Sequence, residues 1–276
     1  MGSGERSLKR LIVTGDDFGI SIPVNEAIEK AYTGGILTTT CLMVGESCVE
    51  DAVSRAKRLP QLGVGLHVVV ARGKPTLSPK ELPTITADGF FHDNLIGAGF
   101  RYFFSKRARS ELRAEIRAQF EAFQKTGLML DHVNAHNHMH LHPTILGIIL
   151  ELAEEFGVKA VRLPAENSQN LGSFLLTPWI ALMRRRLRRA GIRFNDQIVG
   201  ISETGMLDKT TLLAAIDQLP DGVTEVFSHP ATKPWESMDP KASAFKFEEE
   251  FEALVAPEVT AAINKSDISL ATFRDI

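Results

Sequence analysis

The chain has 276 residues, 44% hydrophobic and 24% charged, with 31 Lys and Arg against 34 Asp and Glu for a net charge of -3. That balance reads as soluble and globular, excludes a disordered chain, and lacks the basic surplus that nucleic-acid binding needs. The length suits one large α/β domain, and no apolar run approaches a membrane span.

In chain order, residues 11–14 (Leu-Ile-Val-Thr) read as a buried strand and 24–33 as a helix. Residues 38–44 follow as a second strand, 49–58 as a helix, and 63–70 as a third strand carrying His67. Strand–helix alternation predicts a parallel sheet, open or closed into a barrel. The rhythm breaks over residues 72–107, which hold Pro75, Pro79, Pro83 and the aromatics Phe90, Phe91, Phe100, Tyr102, Phe103 and Phe104. This is an excursion at the mouth of the fold, over a ligand or as a long structural loop. Residues 110–126 have helical spacing, 130–135 form a strand, and Pro143 opens a helix to Phe156. Further strands are expected at 158–163, 198–201 (weaker) and 224–227. There is no repeat and no second core, so residues 1–276 are read as one domain.

Five of the eight histidines lie within eleven residues: His132, His136, His138, His140 and His142. All are at even positions, so an extended strand through them would line one face with imidazoles. Imidazole is the commonest metal ligand, although a hydrogen-bonded cluster or a His-rich loop is the plain alternative. Cys41 and Cys48 cannot form a disulfide framework and fit a reducing compartment as small apolar residues or idle thiols. The polar start, Met-Gly-Ser-Gly-Glu-Arg, carries no secretory or myristoylation signal, which makes the expected address cytoplasmic.

Functional groups of parallel α/β folds gather where strands end. Asp16 and Asp17 follow the first strand, His67 sits in the third, His136 and His138 follow the strand from Leu130, and His229 follows a late one. Adjacent carboxylates beside a buried strand need compensation, which a divalent cation supplies for one while the other acts as a base. A helix N-cap pair is the structural alternative for the doublet.

Thr14-Gly-Asp-Asp-Phe-Gly19, Gly65-Leu-His67, Asn134-Ala-His-Asn-His-Met-His140 and Ser228-His-Pro230 resemble, in order, the hallmarks of the YdjC-like carbohydrate deacetylases. The resemblance runs from Leu11 to about Ala231. Three longer runs, Asp131-His-Val-Asn-Ala-His136, Val161-Arg-Leu-Pro-Ala-Glu166 and Thr224-Glu-Val-Phe-Ser-His-Pro-Ala-Thr232, are most similar to the deacetylases of hopanoid biosynthesis. The resemblance implies a distorted, seven-stranded (β/α) TIM-like barrel and one divalent metal ion. It also implies removal of acetyl from an N-acetylglucosamine unit, here on a bacteriohopanetetrol lipid. By position, Asp17, His67 and His136 resemble the metal ligands, Asp16 the general base and His229 the general acid. Arg162 resembles the arginine that holds the base. Phe18 is a candidate for substrate contact, His138 and His140 for either substrate contact or support behind the metal ligands, and His140 is a reserve ligand if its segment turns helical early. Two His and one Asp suit zinc, with magnesium, manganese, nickel or cobalt as alternatives. The rival readings are a deacetylase of soluble chitooligosaccharides and a non-catalytic metal- or sugar-binding barrel.

Residues 171–194 run from an apolar stretch with Trp179 into Arg184, Arg185, Arg186, Arg188 and Arg189. Phe100 to Phe104 likewise precede Lys106, Arg107 and Arg109. Such segments suit anionic headgroups, or a solvated helix with a cationic end. With a lipid-linked substrate, the expectation is peripheral contact with an anionic membrane at its inner face. Oligomeric state is left open.

Overall fold

The computed structural model describes residues 9–166, 171–236 and 238–276, and of residues 171–175 the backbone course only. The polar N-terminal start therefore lies outside the described residues, as do the first side chains of the apolar run from Leu171.

The apolar runs become strands of one parallel sheet. They are β1 (Lys9–Phe18), β2 (Thr39–Leu42), β3 (Gly63–Val68), β6 (Leu130–Ala135), β7 (Gln197–Val199), β8 (Gly222–Ser228) and β9 (Ile268–Leu270), while β4 (Thr86–Ala87) and β5 (Phe90–Phe91) form a separate hairpin. The order is β6-β3-β2-β1-β8-β7, with β9 also on β1, seven strands in all. Parallel neighbours need long crossovers. Helices supply most of them: α1 (Ile22–Gly34), α2 (Val49–Arg58), α3 (Leu95–Phe104), α4 (Lys106–Lys125), α5 (Pro143–Leu152), α6 (Leu171–Arg189), α7 (Lys209–Asp217), α8 (Phe247–Val255) and α9 (Pro257–Lys265). Ser21 caps α1, with Pro23 in the first turn, and His142 caps α5 by accepting from Thr144 N.

The expected strand at 158–163 is not a continuous ladder. Single parallel bridges join Val161 to Val133 of β6 and Glu166 to Ile198 of β7. Between them Asn195 stands in for a strand partner, its side chain accepting from Leu163 N and donating to Leu163 O at 2.7 and 2.8 Å. This loosely tied segment spans the gap between the two sheet edges and makes the barrel a distorted one.

Strand alternation sorts the side chains. Leu11 and Val13 join the large core under the helices, whereas Ile12 packs with Ala160, Val223, Ala271 and Phe273 inside the barrel. Above that plug the interior turns polar. Thr14 Oγ1 donates to Glu225 at 2.6 Å and lies 2.7 Å from Thr39 Oγ1. Gly65 faces the same interior, where a Cβ would lie 2.5 Å from the His132 ring, so only glycine fits there.

His132 is buried and stacks on Phe273, deep in the barrel. Asp131 fastens this C-terminal plug by accepting from Phe273 N, Arg274 N and Arg274 Nε at 3.3, 3.2 and 3.1 Å. Burial alone would push the Asp131 carboxyl up, but His132, Arg274 and the Phe273 amide hold it below its usual value. A depressed carboxylate contributes stability that is complete above its unfolded pKa, about 3.9, and is lost as pH falls through the folded value. Asp131→Asn is expected to cost about 2 kcal/mol at neutral pH. In urea melts the gap to the unsubstituted protein should close on acidification, and a gap that widens would contradict this role.

The excursion after β3 is ordered against α4. Tyr102 Oη donates to Val70 O, while Glu115 accepts from the backbone amides of Thr76 and Leu77 and Glu111 from that of Thr84. Where the sequence suggested only a loop, it contains the hairpin and α3, capped by Asn94. Among the described residues, no helix is long and apolar enough to cross a membrane.

Candidate active site and metal centre

Asp16 and Asp17 lie within β1 rather than after it. The pairing of β1 with β2 slips between Gly15 and Phe18, and Asp17 takes a left-handed φ of 65°. Neighbours in a regular strand point to opposite faces, so this bulge lets both carboxylates line the same cleft. Aspartate is among the few residues that adopt this conformation readily. Phe18 resumes the outward pattern and is buried in the core, away from the cleft where a substrate contact had been expected.

The imidazole face does not run on as a strand. β6 ends at Ala135, and Asn137 and His138 adopt φ of 54° and 52° inside a 3-10 turn. His136 therefore stands at the strand end and His138 in the cleft wall. His140 is buried with Nε2 3.1 Å from Arg162 O, so the early turn puts it neither at the donor cluster nor in the cleft. Burial pushes the His138 imidazole down to about 3 and depresses His140 as well, so both are neutral groups at ordinary pH.

Asp17 Oδ1 lies 3.2 Å from His67 Nε2 and 3.1 Å from His136 Nδ1. Burial alone would raise the Asp17 carboxyl, but the two imidazoles hold it well below its usual range. Asp17, His67 and His136 offer three donor atoms within 4.8 Å of one another; so do Asp16, Cys41 and His67. The second set suits a cation poorly. Both Asp16 oxygens are taken by Arg162, and burial, then the Asp16 charge, pushes the Cys41 thiol well above its usual value. A thiol must ionise to ligate. Cys41 instead donates to Asp16 Oδ1 at 3.0 Å, which makes it a polar member of the site rather than an idle one. The Asp17, His67 and His136 set, which lines the cleft, could hold a divalent ion.

Asn134 backs His67. With its oxygen towards Arg162, it accepts from Nη1 and Nη2 at 3.0 and 3.2 Å and donates to His67 Nδ1 at 2.7 Å. Ligation through His67 Nε2 requires the reverse, with the Asn134 oxygen receiving the Nδ1 proton.

Arg162 is wholly buried. It donates to Asp16 Oδ2 and Oδ1 at 2.7 and 2.8 Å, reaches both Glu225 oxygens at 2.7–3.0 Å, and lies 5.0 Å above the Phe227 ring. Burial would push Asp16 up, yet the guanidinium overrides it and keeps the carboxyl ionised far into acid. His229 follows β8, its backbone amide donating to buried Glu250 at 2.5 Å. The Nδ1 atoms of His229 and His138 are buried without a partner. Asp16, Asp17, His67, His136, His138, Phe227 and His229 line a cleft of about 370 Å³, whose opposite wall includes Trp235, Met238 and Phe245.

Asn134, Cys41, Glu225 and Glu250 were not anticipated as parts of the site. Glu225 carried a signal, a lone charge inside the apolar run Thr-Glu-Val-Phe. The wall residues carried none, because they come from irregular chain after β8.

Fold and cleft together define an α/β barrel with two carboxylates and four imidazoles gathered at the carboxyl ends of its strands, the position of active sites in such barrels. The chain belongs to the YdjC-like protein family, whose profile matches residues 10–265. It is 32% identical over 275 residues to a carbohydrate deacetylase of Brevibacillus brevis, covering 97% of this chain and 99% of that one. It is 30% identical to a carbohydrate deacetylase of Geobacillus stearothermophilus, over 96% of each. A crystal structure of an Enterococcus faecalis protein named for cellobiose-phosphate cleavage superposes with a TM-score of 0.79 at 25% identity, over 98% and 99% of the two chains. The expected family and distorted barrel both hold.

Proposed function

We propose that this protein is a metal-dependent carbohydrate N-deacetylase whose substrate is an N-acetylglucosamine unit on a glycosylated hopanoid lipid. The observation that carries the reading is the pairing, in one cleft, of an open Asp17, His67 and His136 donor set with an arginine-clamped carboxylate, Asp16. The names of its relatives support the sugar and the acetyl group.

A divalent ion held by Asp17, His67 and His136, zinc before magnesium, manganese, nickel or cobalt, would acidify water and polarise the acetyl carbonyl. The remaining work falls to the protein. Asp16, ionised and fixed by Arg162, accepts the proton of the attacking water. His229, in its protonated form, delivers a proton to the departing nitrogen, without which an amide anion would have to leave. Each such transfer typically contributes about 10²–10⁴-fold. Neutral His138, at the cleft wall, positions the sugar through hydrogen bonds.

The lipid part of the reading rests on a second hollow of about 490 Å³, almost wholly apolar, which shares Leu95 and His138 with the cleft. An apolar aglycone on the sugar would fill it. Such a substrate places the protein in the cytoplasm, at the inner face of the membrane, with no nucleic-acid partner.

Acetate release should be measured, with metal analysis, on N-acetylglucosaminyl bacteriohopanetetrol and on diacetylchitobiose. The lipid is expected to have the higher kcat/KM by roughly tenfold or more, and chelation should abolish both activities. A preference for chitobiose would remove the lipid assignment, and no acetate from either with metal bound would remove the deacetylase.

A further inference from the structure

The helix α3 is amphipathic the wrong way round. Its buried residues are Ala98 and Tyr102, while Ile96, Phe100 and Phe104 are 74%, 63% and 71% exposed. Spaced four apart, they form one stripe on the solvent side. Phe100 and Phe104 stack at 6.1 Å, and Phe103 meets Phe104 edge-on at 5.0 Å, so the rings form a platform rather than scattered contacts. Trp179 and Leu176 of α6, both 45% exposed, border the same apolar hollow. A folded chain rarely leaves such a patch to water without a partner.

The charges beside the patch indicate what that partner is. Residues 95–110 contain Arg101, Lys106, Arg107 and Arg109 and no acid; residues 171–189 contain five arginines and no acid, in a chain whose net charge is -3. Arg107 pairs with Glu111, but Arg101, Arg109, Arg184 and Arg186 donate to backbone carbonyls and keep their full charge. Aromatic rings bordered by basic side chains match the headgroup region of an anionic bilayer, where rings enter the interface and cations meet phosphate. A protein partner of matching shape would have to present an acidic rim around an apolar ridge.

We propose that the outer face of α3, with the neighbouring end of α6, docks onto an anionic membrane and sets the mouth of the cleft against it. The apolar hollow runs from this face to Leu95 and His138 at the cleft, so a docked protein would open its site towards the lipid side. The inference adds a partner to the catalytic reading without depending on it, because vesicles free of any sugar lipid test it.

The whole chain should be sedimented with phosphatidylcholine vesicles, with and without phosphatidylglycerol. It is expected to pellet with the anionic vesicles and to be released by salt. Phe100→Ser with Phe104→Ser should weaken that binding on the order of tenfold for each ring withdrawn. The double variant should keep the far-UV spectrum and thermal midpoint, since both side chains face solvent. Three results would overturn the proposal: a chain that stays in the supernatant with both vesicles, a folded double variant that pellets undiminished, or a vesicle-indifferent dimer that the double variant dissociates. In the last case the face belongs to a second copy.

Discussion

Asp16→Asn is expected to lower acetate release by about 10²–10⁴-fold while the bound metal stays. The amide keeps the shape of the carboxyl but cannot accept a proton from water. The protein should still fold, because Arg162 retains Glu225 as a buried counter-charge after the Asp16 charge is gone. His229→Ala should show the same pattern of lost turnover and kept metal, through loss of the proton given to the leaving nitrogen. Asp17→Asn should lose the metal together with the turnover. Metal content by emission spectrometry beside acetate release separates these roles. If Asp16→Asn and His229→Ala lose metal as Asp17→Asn does, ligands and proton carriers have been confused.

Arg162→Leu is expected to be the most destabilising single change in the barrel. Arg162 is 0% exposed and is the shared partner of two buried carboxylates. Breaking a buried pair from one side typically costs about 3–5 kcal/mol, and here two anions are stranded. The sign with pH is the same as for Asp131, although the cause differs. Asp16, relieved of its cation, would be raised by burial, so the deficit should be greatest at neutral pH and shrink on acidification as it takes up a proton. Adding Glu225→Gln should recover part of the loss. Urea unfolding at two pH values reads both effects, and a neutral-pH loss below about 1 kcal/mol would show that the network is dispensable.

Much of this was legible in the chain. The helix over residues 49–58 and the strand over 130–135 fall where their patterns put them, because both have unbroken periodicity and clear ends. Asp17, His67, His136, Asp16, Arg162 and His229 do meet, because parallel strands deliver their carboxyl ends to one rim. What failed to show was local geometry. Alternation carried past Ala135 could not reveal that Asn137 and His138 turn left-handed, so the position of His140 stayed open. A bulge at Asp17 has no signature in apolar periodicity. Helix α3 hid because its large apolar residues face outward, the reverse of the pattern by which helices are recognised. The segment 158–163 looked like a strand because its composition is one, but Asn195 replaces the ladder partner.

Asn134 has one oxygen and two donors to serve, His67 Nδ1 on one side and the Arg162 guanidinium on the other. Loading a cation on His67 would claim that oxygen and withdraw it from the clamp on Asp16. Occupancy at one end of the cleft and the grip on the proton acceptor at the other are therefore linked through a single rotatable amide. An ion arriving at the rim would be felt at the base without any shift of the backbone.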